Sequence, residues 1–311
     1  MKVLITDYVH QLLIENLEKS GFEVTYLPDI ELNGVKEIIK DYSTIVINTK
    51  TKMDKDMIDK AISLKLIVRL GSGLDIIDLE YAETKGIIVE NTPEGNRNAV
   101  AEHALGLLLS LMNNIVVSNC EVKNLQWKRE INRGTELEGK TIGIIGFGNT
   151  GSSFAKKLQG FDMKVLVYDK YKQRFGEKFR YLEETKMDQL FEECDILSLH
   201  IPLTDETKYL VDSAFINRFK KKIYLINTSR GKIVKIQDIL KALSLGKIKG
   251  AALDVLENEK PFTYSKEEEK LYKTLFSMKN VIVTPHIAGW TFESKEKIAK
   301  YTFNKILNLC N

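Results

Sequence analysis

Short runs of Val and Ile alternate with helix-period segments along this chain, and the alternation comes in two separate series. Strands that read as unbroken apolar runs are buried on both faces, which is the signature of parallel sheets joined by crossover helices. In the first series Val3 to Thr6, Glu23 to Leu27, Thr44 to Asn48, Leu66 to Arg69 and Ile87 to Glu90 read as strands. Gln11 to Ser20, ended by Gly21, reads as a helix, as do Asp54 to Ser63 and Asp78 to Lys85. A second series runs through Thr141 to Ile145, Lys164 to Tyr168, Ile196 to His200, Ile223 to Asn227, Ala251 to Val255 and Val281 to Thr284. The expected class is therefore α/β, with two doubly wound parallel sheets in two domains. Residues 1–95 with 290–311 form one domain and 96–289 the other. Between the series, Asn98 to Met112 is an unusually apolar helix whose Ala and Gly content suits close packing against another domain or another subunit. Thr291 to Leu309 is an amphipathic helix with no strand after it, expected to return to the first domain.

A chain of 311 residues is long for a single core, which agrees with two domains. With 46 Lys and Arg against 43 Asp and Glu, interspersed along the chain, the net charge is +3 and no nucleic-acid partner is implied. The charge run Lys266 to Lys270 reads as a solvated helix face or loop. No stretch approaches the roughly 18 to 20 apolar residues needed to cross a bilayer, so no membrane partner is expected. Met1 to Ile5 reads as a first strand and not as a signal peptide, from which a cytoplasmic address follows. Cys120, Cys194 and Cys310 form no CxxC pair, and His10, His103, His200 and His286 are scattered, so neither a disulfide framework nor a metal site is expected.

The strand Thr141 to Ile145 runs directly into Gly146-Phe147-Gly148-Asn149-Thr150-Gly151, and Ser152 to Leu158 can form the helix that follows. In that setting Gly146 permits a tight turn, Gly148 lets the backbone approach a pyrophosphate, and Gly151 allows close helix packing. The anion would meet the positive end of the helix and its unpaired N–H groups. Asp169 stands 18 residues beyond Gly151 at the end of the next strand, where a carboxylate can accept from a ribose diol. Such a carboxylate repels a 2′-phosphate and favours NAD over NADP, although Lys170, Lys172 and Arg174 follow closely and could serve a phosphate.

The run from Gly134 through Gly146 resembles the entry to the cofactor domain of D-2-hydroxyacid dehydrogenases, phosphoglycerate dehydrogenases included. Asn91-Thr92-Pro93, Val100-Ala101-Glu102-His103-Ala104, Leu199 to Thr204, Asn227-Thr228-Ser229-Arg230-Gly231, Ala251 to Val255 and Thr284-Pro285-His286-Ile287 resemble the family's other signatures in the same order. The resemblance spans essentially the whole chain. It implies a flavodoxin-like substrate domain, a Rossmann NAD-binding domain and an active site in the cleft between them. It also implies that Arg230 holds the carboxylate and carbonyl oxygen of the substrate, that His286 is the acid-base group, and that Glu259 pairs with His286.

The chemistry of those residue types agrees. A guanidinium binds two oxygens through a fixed fork, histidine exchanges protons near neutrality, and a carboxylate orients an imidazole while favouring its cation. Glu259 lies five residues beyond Asp254, at the family's spacing, but Lys260 stands before Pro261 where the family has Pro directly, and Glu257 is a competitor. Arg69, Ser72 and Gly73 resemble the loop that supplies substrate-carboxylate donors from the first domain, as a backbone nest would. By the same resemblance Asn149 and Thr150 lie on the pyrophosphate, with Thr150 replacing the more usual Ile. His200 and Pro202 lie near the ribose, and Thr228, Ser229, Asp254, Ala288 and Gly289 line the nicotinamide end. His200 could equally be strand-end packing, and His103 reads as structural.

The reading is reversible hydride transfer between NAD and C2 of a 2-hydroxy or 2-keto acid. 3-Phosphoglycerate is slightly preferred over glycerate, hydroxypyruvate or D-lactate-type substrates. An extra first-domain arginine of phosphoglycerate-acting relatives falls at Asn48 here, with Lys50 or Lys52 as possible compensation. Trp290 shapes the pocket or packs at a hinge. The chain ends one helix after His286, so no regulatory extension is expected. The helix Asn98 to Met112 suggests a homodimer. A non-catalytic NAD(H)-sensing binding protein is the competing class, and the presence of Arg230, Glu259 and His286 together speaks against it. A methyltransferase on a similar sheet would explain the phosphate loop but not His286.

Overall fold

The computed structural model describes residues 1–310 and divides into two compact units, Met1–Ala99 with Gly289–Asn311, and Val100–Ala288. In the first unit the strands are β1 (Lys2–Ile5), β2 (Glu23–Tyr26), β3 (Thr44–Ile47), β4 (Leu66–Arg69) and β5 (Ile88–Asn91). They pair in parallel in the order β2-β1-β3-β4-β5, the flavodoxin-like arrangement. Helices α1 (Gln11–Lys19), α2 (Leu32–Ile38), α3 (Lys55–Lys60) and α4 (Leu79–Thr84) connect them. Successive strand residues face opposite sides of the sheet, so Leu4, Ile45, Ile47 and Ile67 pack with Val35, Met57 and Ala82, while Val3, Ile5, Val46 and Val68 pack with Leu13 and Leu17. The C-terminal helix lays Ala299 and Ile306 on that second face.

The unit boundary falls inside α5 (Pro93–Met112), which starts earlier than its apolar run because Pro93 sits at the first helical position, where its missing N–H costs nothing. Asn114, with φ +53, separates α5 from α6 (Ile115–Lys123). Among the described residues no single helix is long and apolar enough to cross a membrane; α5 and α6 together have the composition, but they are bent by 63°. Ala101, Ala104, Leu108 and Met112 of α5 are buried in the second unit's core.

The second unit contains β6 (Thr141–Ile145), β7 (Lys164–Tyr168), β8 (Glu183–Glu184), β9 (Ile196–Leu199), β10 (Ile223–Asn227), β11 (Ile248–Leu253) and β12 (Val281–Val283). Their order, β12-β11-β10-β9-β6-β7-β8, places the first strand of the unit centrally with the chain winding outward on both sides, as in a Rossmann sheet. Helices α7 (Asn149–Lys157), α8 (Met187–Glu193), α9 (Ser213–Asn217), α10 (Ile236–Ser244) and α11 (Lys266–Ser277) complete it, and α12 (Phe292–Cys310) is the C-terminal helix of the first unit. One face of the sheet packs Leu166, Leu197, Leu225 and Leu253 against α8 to α11, and the other packs Ile142, Ile144, Val165 and Ile226 against α5 and α7.

Candidate active site

The strand β6 ends in the glycine loop, and each glycine there has its own steric reason. Gly146 has φ +96, and a Cβ on it would stand 2.3 Å from the His200 carbonyl oxygen. A Cβ on Gly151 would stand 2.0 Å from the Gly146 carbonyl oxygen, so α7 can approach the turn only without a side chain there. At Gly148 the space is open. Gly148 is also the N-cap of α7 and offers no side-chain cap, so the helix presents backbone donors to that open side. Asn149 and Thr150 are the first residues of the helix.

Asp169, just past β7, closes the loop from below. Its Oδ2 accepts from Phe147 N at 2.7 Å, and its Oδ1 accepts from Tyr171 N and Lys172 N at 2.9 Å. A carboxylate oxygen has two lone pairs, so Oδ2 keeps one for a ribose hydroxyl. Lys172 turns back to donate to the Phe147 carbonyl at 2.8 Å, and Lys170 pairs with Glu206 at 2.7 Å, so two of the cations that could serve a phosphate are engaged within the chain.

At the end of β10, Asn227 is fully buried and fixes the turn that carries Arg230. Its Oδ1 accepts from Ser229 N at 3.0 Å, and its Nδ2 donates to the Arg230 carbonyl at 3.0 Å. Ser229 Oγ donates to the Leu199 carbonyl at 2.6 Å, locking this turn to the neighbouring strand. Arg230 Nη1 donates to the Ser229 carbonyl at 2.7 Å. Thr228 Oγ1 is enclosed without a hydrogen-bond partner, an arrangement that a polar ligand group at this strand end would relieve.

After β12 the chain turns sharply at His286, whose φ is +55. His286 Nδ1 lies 2.9 Å from Glu259 Oε2, and both side chains are partly exposed, at 47% and 42%. Glu257 goes elsewhere: its Oε1 accepts from Ile236 N at 2.6 Å and its Oε2 from Tyr209 Oη at 2.9 Å. Lys260, interposed before Pro261, does not prevent the pairing, because Asn258 anchors the segment. Asn258 N donates to Tyr272 Oη at 3.1 Å, and its carbonyl accepts from Tyr264 Oη at 3.1 Å. Burial pushes the Tyr272 hydroxyl up to about 12, so this anchor keeps its proton throughout the working range.

A phosphate-ready helix start, a carboxylate at the ribose position and a histidine-carboxylate pair thus lie in one doubly wound unit. Residues 105–288 match the family model described as D-isomer specific 2-hydroxyacid dehydrogenase, NAD binding domain. A hydroxypyruvate reductase of Thermotoga maritima is 35% identical, matched over 93% of this chain and 92% of its own length. The chain belongs to the D-2-hydroxyacid dehydrogenase family. It is an NAD-dependent oxidoreductase acting on the CH–OH group. A D-3-phosphoglycerate dehydrogenase of Methanocaldococcus jannaschii is 36% identical over 95% of this chain, but the dehydrogenase spans only 55% of that relative's length. Among solved structures, the D-lactate dehydrogenase of Aquifex aeolicus, complexed with NAD and lactic acid, superposes with a TM-score of 0.86 at 29% identity, covering 100% of this chain and 95% of that one.

Of the two readings the sequence left open for His200, its surroundings fit strand-end packing. The His200 ring turns inward, 2.8 Å from Ser198 Oγ and with its centroid 5.1 Å from the Phe154 ring, while its backbone carbonyl abuts Gly146 and its Cβ lies against Gly151. Burial drives that imidazole down to about 3, so it stays neutral. Asp254, expected to line the nicotinamide end, is 1% exposed and accepts from Thr284 Oγ1 at 2.6 Å and from Ile287 N and Ala288 N at 2.9 Å. Pro202 is exposed, with its carbonyl accepting from Thr207 Oγ1 at 2.7 Å. Sequence reading did not single out Asn227, Asn258 or Thr284 as site-building residues. Only their positions beside the motif residues could have pointed to them.

In the first unit, the loop after β4 is organised by Thr92. Gly71, with φ +108, donates its N–H to Thr92 Oγ1 at 2.8 Å, and its carbonyl accepts from Thr92 N at 2.9 Å. Ser72 Oγ donates to Asn96 Oδ1 at 3.0 Å, and the Ser72 carbonyl accepts from Asn91 Nδ2 at 2.6 Å. Arg69 ends β4 and Gly73 follows in the same loop. Gly289 is packed against Asn96, where a Cβ would meet Nδ2 at 2.9 Å.

Proposed function

We propose that the dehydrogenase reduces a small 2-keto acid at C2, with Arg230 holding the substrate, His286 moving the proton and Glu259 orienting His286. The observation that carries this reading is the 2.9 Å contact between His286 Nδ1 and Glu259 Oε2, which leaves Nε2 as the nitrogen that faces substrate. When bound, NADH supplies a hydride, whose electron pair makes the new C2–H bond. The carbonyl π pair retreats to oxygen, and that oxygen takes a proton from His286 Nε2. The Arg230 guanidinium holds the carboxylate and the carbonyl oxygen through its fork and stays charged as negative charge grows on that oxygen. Arg69, Ser72 and Gly73 are assigned to the substrate carboxylate. Gly146, Gly148, Asn149, Thr150 and Gly151 are assigned to the pyrophosphate, Asp169 to the ribose, and Thr228, Ser229, Ala288 and Gly289 to the nicotinamide end.

Among substrates the preference moves to hydroxypyruvate or glyoxylate over a phosphorylated acid. Lys50 donates to the Pro28 carbonyl, and Lys52 lies 3.9 Å from Asp54, so both lysines near Asn48 are turned toward oxygens of their own unit. The relatives named hydroxypyruvate reductase and glyoxylate reductase also match over more than nine-tenths of both chains. The test is NADH consumption with glyoxylate, hydroxypyruvate, pyruvate and 3-phosphohydroxypyruvate. The highest kcat/KM is expected with one of the first two. NADH binding without turnover of any 2-keto acid would overturn the catalytic reading.

The same reading includes a homodimer. Leu125, Trp127 and Ile131 are 96%, 79% and 66% exposed on the segment after α6, and Ile115, Val116 and Val122 of α6 are exposed as well. A cluster of large apolar side chains on one segment marks an association surface. Glu121, buried beneath it, ties the segment down through Asn132 at 2.7 Å and Lys279 at 2.9 Å. Sedimentation equilibrium is expected to give twice the chain mass.

A further inference from the structure

His286 carries a left-handed backbone, φ +55, which a non-glycine residue holds only where its surroundings impose it. Asp254 supplies restraints on both sides of that turn. Its carbonyl accepts from His286 N at 2.8 Å, its Oδ1 from Ile287 N and its Oδ2 from Ala288 N, both at 2.9 Å. Oδ1 also receives the Thr284 hydroxyl at 2.6 Å, two residues before His286. The carboxylate therefore grips the chain before and after the proton carrier.

Thr284 is fixed in turn. His103, from α5, has Nε2 3.0 Å from Thr284 Oγ1 and 3.5 Å from Asp254 Oδ1. A hydroxyl has one proton, and that of Thr284 is given to the carboxylate, so His103 must donate from Nε2 to the Thr284 oxygen. The order of donation is thus His103 to Thr284 to Asp254. Each bond removes one rotational choice from the next group.

We infer that Thr284 and His103 are positioning residues for the proton transfer, acting through Asp254 to hold His286 in the left-handed turn that sets its imidazole against Glu259. This rests on the assignment of His286 as the proton carrier. It gives a task to a histidine that sequence reading treated as structural. Neither residue is asked to touch substrate or cofactor.

Thr284→Val keeps the shape and removes the hydroxyl, and Thr284→Ser restores it. A misplacement of about 1 Å can cost up to about a hundredfold in rate, and Thr284→Val is expected to lower kcat by about tenfold or more. NADH affinity should stay within about twofold. The solvent deuterium isotope effect on kcat should grow, because proton transfer becomes limiting, and Thr284→Ser should recover both rate and isotope effect. His103→Leu and His103→Gln form a second pair, the amide of Gln retaining a donor, and they carry the test if Thr284→Val does not fold. Parental kcat and isotope effect in Thr284→Val would overturn the inference. So would a loss of rate with an unchanged isotope effect that Ser does not repair, since that marks core support only. His286→Gln is measured alongside. If it retains parental turnover, the proton-carrier assignment falls and takes the inference with it. If it is inactive while Thr284→Val is unaffected, the inference alone falls.

Discussion

Glu257 and Glu259 are two positions apart, and the fold gives them different tasks through residues that the local sequence does not reveal. Glu257 is held by Tyr209 and by the N–H of Ile236, far away in the chain, while Glu259 reaches His286. Sequence spacing alone left both carboxylates open because their partners lie far off in the chain, at a turn, at the start of α10 and in the turn after β12. Glu259→Gln is expected to lower kcat by about a hundredfold, within the range of acid-base contributions. Glu257→Gln should instead lower the melting temperature with kcat within about twofold of the parent, because it caps α10 and touches no reacting group. Steady-state kinetics and thermal melts of the two variants check the division. The reverse pattern would place the catalytic carboxylate at Glu257.

At the scale of elements, the glycine loop was legible because its steric demands are local, and its three glycines separate into testable classes. Gly148→Ala is expected to fold with an unchanged melting temperature, since the space around it is open, yet to weaken NADH binding by about tenfold where the pyrophosphate must approach. Gly151→Ala should lower the melting temperature, because its methyl would meet the Gly146 carbonyl. Fluorescence titration and thermal melts distinguish them. Two elements that the sequence does not announce have a weak local signal. Helix α2 contains Gly34 and lacks a side-chain N-cap, and β8 is Glu183–Glu184, two charged residues paired only with β7. The charge run beginning at Lys266 proves to be the first turn of α11, started by a capping box between Ser265 and Glu268. Strand β11 starts at Ile248, ahead of its apolar run, because Ile248 and Gly250 pair with Ile223 and Tyr224 of β10 across a register shift at Lys249.

For the whole molecule, His200 couples proton uptake to stability. Burial lowers its imidazole from an ordinary value near 6.5 to about 3. The unfolded chain therefore binds a proton that the fold excludes, so stability from this group is complete above about pH 6.5 and is lost as pH falls toward 3. In His200→Gln, stability measured by urea unfolding should depend less steeply on pH between 6.5 and 4 than in the parent. Equal slopes would mean that the ring is solvated in the folded state.

The same scale governs how the chain is built during synthesis. The second unit, Val100–Ala288, is one continuous stretch and can condense as soon as it has emerged. The first unit is discontinuous, and its face of Val3, Ile5, Leu13 and Leu17 stays uncovered until the segment bearing Ala299 and Ile306 has been translated. Strands β1 to β5 are therefore translated ahead of the second unit, yet belong to a unit that is completed after it. During that interval, a chaperone would find its apolar client surface on β1 and α1 rather than on the nucleotide-binding unit.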